Sequence, residues 1–226
     1  MPIELVVFDM AGTTVHDADA VNRCFRAALA GAGLAVDAAA VNAVMGLPKP
    51  EAIRRLVGSS PLADRVAAIH ADFVERMRRH YGTDPDVGEV PGTAATFVRL
   101  RRAGIRVALD TGFSRDIAQV VIDRLGWGGA HPIIDASVTS DEVPHGRPHP
   151  DMIRHLMRRC GVGDPAHVAK VGDTPADLAE GHNAGCGLVV GVASGSHTRA
   201  ELARHPHTHL IESVADLPAL LGLPPE

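Results

Sequence analysis

The sequence predicts an α/β fold: a doubly wound, mainly parallel sheet of the Rossmann-like kind, with a helical segment inserted after its first strand. From residue 91 onward, helical and strand-like segments alternate, which is typical of parallel strands joined by helices. Between the first strand and that alternation lie about 75 residues with helical patterns and no convincing strand, which is too long for an ordinary connection. Carboxylates also follow two of the strands, as active-site residues do in open α/β sheets.

The first predicted strand is the apolar run Val6-Val7-Phe8, and it ends in Asp9. The residue that follows a parallel strand lies at the carboxyl edge of the sheet, where active sites form. Asp9 is therefore a candidate nucleophile, because a carboxylate can take up a phosphoryl group as an acyl-phosphate. The alternative is an aspartate that only turns the strand into a loop.

The apolar spacing of the inserted segment predicts successive amphipathic helices. The first has Val21, Phe25 and Leu29 four residues apart on one face, and glycines stop it. The predicted helices cover residues 19–32, 38–45, 50–57 and 61–81. We expect a core domain of residues 1–15 and 90–226 and a helical cap of residues 16–89. His16, Asp17 and Asp19 lie at the entry to the cap, where hinge or capping roles are expected and contact with the substrate is the alternative.

The remaining elements alternate, each helix starting near a cap residue or a proline. Helices are predicted over residues 93–103, 114–125, 150–160, 176–184, 198–205 and 214–221. Strands are predicted over residues 105–109, 136–139, 167–171, 187–192 and 209–211.

Composition narrows the class of protein. The chain has 226 residues, 46% of them hydrophobic, which is enough for one large domain or a core with an insertion. The net charge is -5, and no stretch gathers enough Lys or Arg to predict binding to nucleic acid or to a membrane. The absence of a leader-like start and of a long apolar run favours a cytoplasmic location. The three cysteines are widely separated, so reduced thiols are expected.

A second group of carboxylates lies far from the first. Asp173 follows the strand at residues 167–171, and Asp177 comes four residues later near a helix start. Asp9, the backbone carbonyl of Ala11 and Asp173 form an oxygen ligand set suited to octahedral Mg²⁺. Asp177 is expected to orient waters or neighbouring ligands without binding the ion itself, although helix capping is an alternative role.

Neutral donors and a cation complete a predicted phosphate site. Thr111 and Gly112 end a strand and would face a bound phosphoryl group with a hydroxyl and an amide. Arg147 lies in a proline-restrained loop, where its planar guanidinium could clamp phosphate oxygens. The chain has only two lysines, Lys49 and Lys170, so each invites a role that arginine cannot fill.

These motifs resemble the haloacid dehalogenase superfamily of aspartate-dependent phosphotransferases, and within it the phosphonoacetaldehyde hydrolase, or phosphonatase, branch. The resemblance extends over nearly the whole chain. The segments that carry it are residues 9–14, 45–49, 111–112, 143–150 and 170–185. Most phosphatases of the superfamily have a second aspartate two residues after the nucleophile, and here that position is Ala11.

The resemblance implies that Lys49 forms a Schiff base with a substrate aldehyde and that Met45 lies at the substrate. A carbon leaving group conjugated to an iminium departs as a neutral enamine, so its departure needs no general acid, which agrees with Ala11. To attack a carbonyl group, Lys49 must be partly neutral, although a free lysine titrates near about 10.4. Desolvation or nearby positive charge would lower its pKa.

The sequence leaves the substrate open. Phosphonatases carry a tyrosine where this chain has Phe113 and a histidine where it has Ala52, so a related small phosphonate is as good a candidate as phosphonoacetaldehyde. One rival is a phosphate monoesterase similar to phosphoglycolate phosphatase, and another is a non-catalytic protein that only binds phosphate. Alanine- and valine-rich cap helices are also compatible with a homodimer.

Overall fold

The computed structural model of the protein describes residues 2–224. Over those residues six strands form one sheet: β1 (Leu5–Phe8), β2 (Arg106–Thr111), β3 (Ala136–Thr139), β4 (Val168–Gly172), β5 (Leu188–Val192) and β6 (His209–Ile211). The described helices are α1 (Ala20–Gly31), α2 (Ala38–Asn42), α3 (Lys49–Val57), α4 (Val66–Thr83), α5 (Thr93–Arg102), α6 (Arg115–Arg124), α7 (Asp151–Cys160), α8 (Pro175–Ala184), α9 (Arg199–Leu202) and α10 (Leu217–Leu220). None of them is long and apolar enough to cross a bilayer.

The strand order is β3-β2-β1-β4-β5-β6, and every pairing is parallel. The chain builds outward from β1 to β3 on one side and then returns to build β4 to β6 on the other. This confirms the predicted doubly wound α/β fold. The order reverses between β1 and β4, and such a switch point opens a crevice at the carboxyl ends of those two strands. Asp9 and Asp173 follow β1 and β4 respectively, so the topology brings them to that crevice.

The central strand shows how the sequence builds the core. All four residues of β1 are buried, as expected for a parallel strand covered on both faces. Val6 and Phe8 point to one hydrophobic cluster, and Leu5 and Val7 point to a second cluster on the opposite face. This alternation follows from the period of two in a strand. Phe8 packs against Phe97 of α5 with ring centroids 5.0 Å apart.

The helices α1 to α4 all lie between β1 and β2 in the chain. Phe25 of α1 and Phe73 of α4 pack with ring centroids 4.4 Å apart, and both belong to the same hydrophobic cluster as Phe8 of β1. The chain enters and leaves this helical segment at adjacent points, where the His16 amide donates to the Gly88 carbonyl at 2.9 Å. The division into a core of residues 1–15 and 90–226 and a cap of residues 16–89 stays a prediction.

Several predicted element ends differ from the structure. The helix expected over residues 61–81 begins at Val66, after a 3-10 turn over Ala63–Arg65. The helix expected over residues 198–205 is reduced to α9, and that expected over 214–221 is a 3-10 turn followed by α10. Caps and packing rather than residue propensity decide where such short helices end.

Candidate active site

Asp9 lies at the centre of the switch point, at the carboxyl end of β1. Its amide donates to the Val171 carbonyl at 2.9 Å, which continues the pairing with β4, and its side chain is buried. Burial raises the pKa of Asp9 to about 7, with the charges of Asp177 and Asp173 adding to the effect and Arg147 opposing it. The carboxylate therefore lies in a pocket of excess negative charge that one guanidinium does not neutralise.

Arg147 contacts Asp9 from the loop before α7. Its Nη1 donates to Asp9 Oδ1 at 2.7 Å and lies 3.0 Å from Asp177 Oδ1. Its Nε donates to Glu180 Oε2 at 3.0 Å, and its Nη2 donates to the carbonyl and carboxylate oxygens of Asp110. The side chain is 1% exposed, so it is fixed on every side by carboxylates. Arg147 is thus immobilised beside Asp9 before any substrate is present.

A buried charge network lies behind Arg147, and sequence reasoning missed it. Lys170 of β4 pairs with Asp110, with Asp177 at 3.1 Å and with Glu180 at 3.3 Å. Burial raises the pKa of Glu180 well above its ordinary value. Burial alone would raise the pKa of Asp110 as well, but Arg147 and Lys170 outweigh it and hold that pKa below the ordinary value. Two signals pointed here: Lys170 is one of only two lysines, and Glu180 is one helical turn after Asp177.

Replacing Asp110 with asparagine is expected to lower the free energy of unfolding by about 3–5 kcal/mol, because it leaves Arg147 and Lys170 buried with one charge partner fewer. Urea denaturation measures the loss. Glu180→Gln is the matched control, since burial raises the pKa of Glu180 and an amide resembles the protonated form that burial favours, and its loss should stay below about 1.5 kcal/mol. Equal losses in the two variants would contradict this charge assignment.

Asp173 is held apart from that network. Its Oδ1 accepts a hydrogen bond from Thr13 Oγ1 at 3.0 Å, and its Oδ2 accepts from the amide and the hydroxyl of Ser196 at 2.7 and 2.8 Å. Burial and the Asp177 charge raise its pKa. Asp177 itself forms a capping box with Thr174 at the start of α8 while it faces Arg147 and Lys170. Capping, the alternative left open by the sequence, is therefore one of its contacts.

Two carboxylate groupings at the switch point differ in what they can hold. Among the described residues, Asp9, Asp110 and Asp177 have oxygen atoms within 4.8 Å of one another. The guanidinium of Arg147 contacts all three, so that grouping already has its cation. In the predicted set of Asp9, the Ala11 carbonyl and Asp173, Arg147 contacts Asp9, whereas the hydrogen-bond partners of Asp173 among the described residues are the neutral Thr13 and Ser196. Its oxygen donors suit a hard divalent ion, and the raised pKa values of Asp9 and Asp173 indicate charge that such an ion would neutralise.

Lys49 is the first residue of α3 and is 5% exposed. Its Nζ lies over the rings of Phe25 and Phe113, 5.5 and 5.1 Å from their centroids. Burial lowers the pKa of Lys49 to about 8, helped by the charge of Arg147 and opposed by the carboxylates of Asp9 and Asp17. An appreciable fraction of this amine is therefore neutral and nucleophilic near neutral pH.

The segment before α3 fits closely against the core. A Cβ on Gly112, in the loop after β2, would meet the Leu47 carbonyl at 2.7 Å. Gly46 adopts φ +80°, and a Cβ there would meet Thr174 Oγ1 at 2.2 Å. Both positions need glycine, because a side chain at either would push residues 46–47 away from the loop after β2 or from the start of α8. This close approach carries Lys49 to the carboxyl edge of the sheet.

One cavity of 340 Å³ brings the predicted residues together. Those that line it are Asp9, Ala11, Met45, Lys49, Thr111, Gly112 and Arg147. Asp173 and Asp177 do not line it, although their hydrogen-bond partners Ser196 and Thr174 do. The arrangement places a carboxylate, a guanidinium and a partly neutral amine around a space suited to a small molecule.

Comparison with known proteins identifies the family. The model of the haloacid dehalogenase-like hydrolases matches residues 3–185. The chain belongs to this family. It is 30% identical to a phosphonoacetaldehyde hydrolase of Bacteroides fragilis, over 98% of this chain and 96% of that protein. It is therefore a hydrolase of the phosphonatase-like branch, as the motifs predicted.

Solved structures of the family share the fold. A phosphonoacetaldehyde hydrolase-like protein from Oleispira antarctica superposes with a TM-score of 0.86 at 25% identity, over 98% of this chain and 92% of that one. A predicted phosphoglycolate phosphatase from Haemophilus somnus superposes with a TM-score of 0.81 at 20% identity, over 96% and 97%. The second likeness concerns the fold alone.

Proposed function

We propose that this hydrolase cleaves the carbon–phosphorus bond of a small phosphonate that carries an aldehyde or ketone, with phosphonoacetaldehyde as the first candidate. One observation carries the proposal: the Lys49 amine, with its lowered pKa, is buried in the same cavity as Asp9. Sequence identity to phosphonoacetaldehyde hydrolases supports it. In this proposal residues 16–89 form a cap that closes over the substrate bound to the core.

The roles divide between the two sides of the cavity. Asp9 attacks phosphorus and becomes an aspartyl phosphate, from which water later releases phosphate. Arg147, the Thr111 hydroxyl and the Gly112 amide bind the phosphoryl oxygens. Lys49 forms an imine with the substrate carbonyl, and Met45 packs against the carbon end of the substrate.

The nature of the leaving group explains why the reaction needs no proton donor at the position of Ala11. An oxygen leaving group takes up a proton as it departs, and an alanine beside the nucleophile cannot provide one. When Lys49 is joined to the carbonyl carbon, the electrons of the broken carbon–phosphorus bond move into a neutral enamine. The imine thus replaces the missing acid in the step that breaks the bond.

The ion that fits the proposed ligand set is Mg²⁺, held by Asp9, the Ala11 carbonyl and Asp173. When bound, it supplies positive charge to the phosphoryl oxygens and favours the ionised form of Asp9. Asp177 would orient the ligands from outside this set, through the Thr174 loop that it caps.

Removing divalent ions with a chelator is expected to lower the hydrolysis rate by at least about 10²-fold, because the phosphoryl oxygens then lose the positive charge of the ion and Asp9, with a pKa of about 7, is partly protonated near neutral pH. Added Mg²⁺ should restore the rate, and the chelator should leave thermal unfolding of the protein a single transition. Full activity in the chelator would contradict the metal assignment.

The proposed function is tested by comparing substrates. Phosphonoacetaldehyde should give equal amounts of phosphate and acetaldehyde, whereas 2-phosphoglycolate and methylphosphonate, which lack a reactive carbonyl, should be hydrolysed at least about 10²-fold more slowly. A series of phosphate esters ranked by leaving-group pKa is the control. Faster turnover of esters than of any carbonyl phosphonate would favour a phosphate monoesterase instead.

A further inference from the structure

We infer that Asp17 is the proton carrier that serves Lys49 in forming and hydrolysing the imine. The inference rests on the proposed function and adds a residue to it. Forming an imine from an amine and a carbonyl requires that the carbonyl oxygen leave as water, and this oxygen leaves only with a proton. The Lys49 nitrogen gives the carbonyl oxygen the first of the two protons that water needs, so another group must supply the second.

The cavity itself narrows the choice of carrier. Apart from Asp9, Lys49 and Arg147, the titratable side chains in its described lining are His16, Asp17 and Asp19. His16 and Asp19 are exposed, and Asp19 pairs with Arg26 at 3.9 Å, whereas Asp17 is half-buried. Phe113 and Ala11, which also line the cavity, carry no exchangeable proton.

The backbone keeps Asp17 in place. Its Oδ1 accepts a hydrogen bond from the Val21 amide at 3.2 Å, in the first turn of α1. The two residues that follow, Ala18 and Asp19, have φ of 43° and 65°, in the left-handed region that residues with a Cβ rarely adopt. Such strain persists only where the surrounding structure holds it, and here it turns the chain directly after Asp17.

The charges that face Asp17 suit a proton carrier. Burial raises the pKa of Asp17 to about 6, assisted by the negative charges of Asp173 and Asp19 and opposed by the Val21 hydrogen bond and the Lys49 ammonium. A carboxyl group with this pKa both gives up and takes back a proton near neutral pH. Lys49 and Asp173 approach from α3 and from the end of β4, so the cap and the core both contribute to this environment.

The proton and electron steps balance. The Lys49 lone pair bonds to the carbonyl carbon, and one proton passes from nitrogen to the carbonyl oxygen to give a carbinolamine. The carbon–oxygen bond then breaks as nitrogen forms the double bond, and the departing hydroxyl takes the proton of Asp17 and leaves as water. After the carbon–phosphorus bond has broken, the enamine carbon takes a proton from solvent. Water then adds to the imine carbon and returns a proton to the Asp17 carboxylate, which gives a second carbinolamine. Its carbon–nitrogen bond breaks as the hydroxyl proton passes to nitrogen, and this frees the Lys49 amine and the aldehyde product.

The test is the pH dependence of kcat/KM for phosphonoacetaldehyde in wild type and in Asp17→Asn. The wild-type rate requires neutral Lys49 and protonated Asp17, so it should rise to about pH 6, stay level to about pH 8 and fall above it. At pH 7 the rate of Asp17→Asn should be about 10²-fold lower than that of wild type. The rate of this variant should rise with pH until about pH 8 and should not decline above it. Asp17→Glu should restore part of the rate and the fall above pH 8.

Asp64→Asn is the matched control, because it removes the same charge from an exposed position in the helical segment that does not line the cavity. Its profile should match that of wild type. Affinity for inorganic phosphate, measured by calorimetry, should be equal in all variants if each is folded. An unchanged rate in Asp17→Asn, or a reduced rate with the wild-type profile, overturns the role of Asp17 alone. A wild type that hydrolyses no carbonyl phosphonate overturns the proposed function and this role together.

Discussion

Replacing Lys49 with methionine is expected to lower kcat/KM for phosphonoacetaldehyde by at least about 10³-fold, because the side chain that activates the carbonyl group is lost. Methionine is close to lysine in length and is apolar, so it should fill the space between Phe25 and Phe113 without disturbing the fold. The steady-state rate of acetaldehyde release measures the effect. The phosphate site on the core should survive, with affinity for inorganic phosphate within about threefold of wild type.

Lys49→Arg separates the charge of this residue from its chemistry. Arginine keeps the positive charge but remains protonated at every accessible pH, so it cannot attack a carbonyl carbon. We therefore expect it to be as inactive as the methionine variant. Substantial activity in Lys49→Arg would mean that the amine acts only as a charge, and the imine mechanism would fail.

Replacing Asp9 with asparagine is expected to lower kcat by at least about 10⁴-fold, since the amide cannot accept a phosphoryl group. No phosphorylated protein should be detected by mass spectrometry after acid quenching of this variant with substrate. Asp116→Asn, a change on the exposed surface of α6, is the matched control and should keep the wild-type rate. A phosphorylated Asp9→Asn protein would place the covalent step on another residue.

Asp9→Asn, which is expected to lower kcat, should raise the free energy of unfolding at high pH. The folded state raises the pKa of Asp9 from 3.8 to about 7, so ionised Asp9 costs stability progressively as the pH rises through that interval, and the full cost applies above it. Chelator-treated Asp9→Asn should therefore be more stable than wild type at pH 8, and the two should differ little at pH 4. Urea denaturation at both pH values measures this difference.

The sequence predicted the strand ends well because simple rules govern them. Asp9 and Asp173 each follow a strand of the parallel sheet and Thr111 ends one, and such residues share one edge of that sheet. The position of Arg147 beside Asp9 depends instead on how a loop folds back over β1 and β2. Local spacing does not contain that information. It also does not indicate that Asp110 and Glu180 are the partners of Arg147.

Helices α1 to α4 show the same difference between features that local spacing predicts and features that depend on tertiary packing. The apolar spacing in α1 predicted its bounds to within one residue at each end, because one face is buried against α4. The burial of Lys49 was not predictable from its own helix, since it results from Phe25 and Phe113 on two other elements. For Asp17 the sequence favoured a capping or hinge role over contact with substrate, because its place in the cavity depends on where α3 packs.

Reductive trapping tests the central role of Lys49 most directly. Protein incubated with phosphonoacetaldehyde and borohydride should become inactive and gain one ethyl group, and peptide mapping should locate it on Lys49. The chain has only one other lysine, Lys170, which is fully buried among carboxylates, so the assignment has little competition. An unmodified Lys49 in protein that still hydrolyses the substrate in the presence of borohydride would contradict the mechanism.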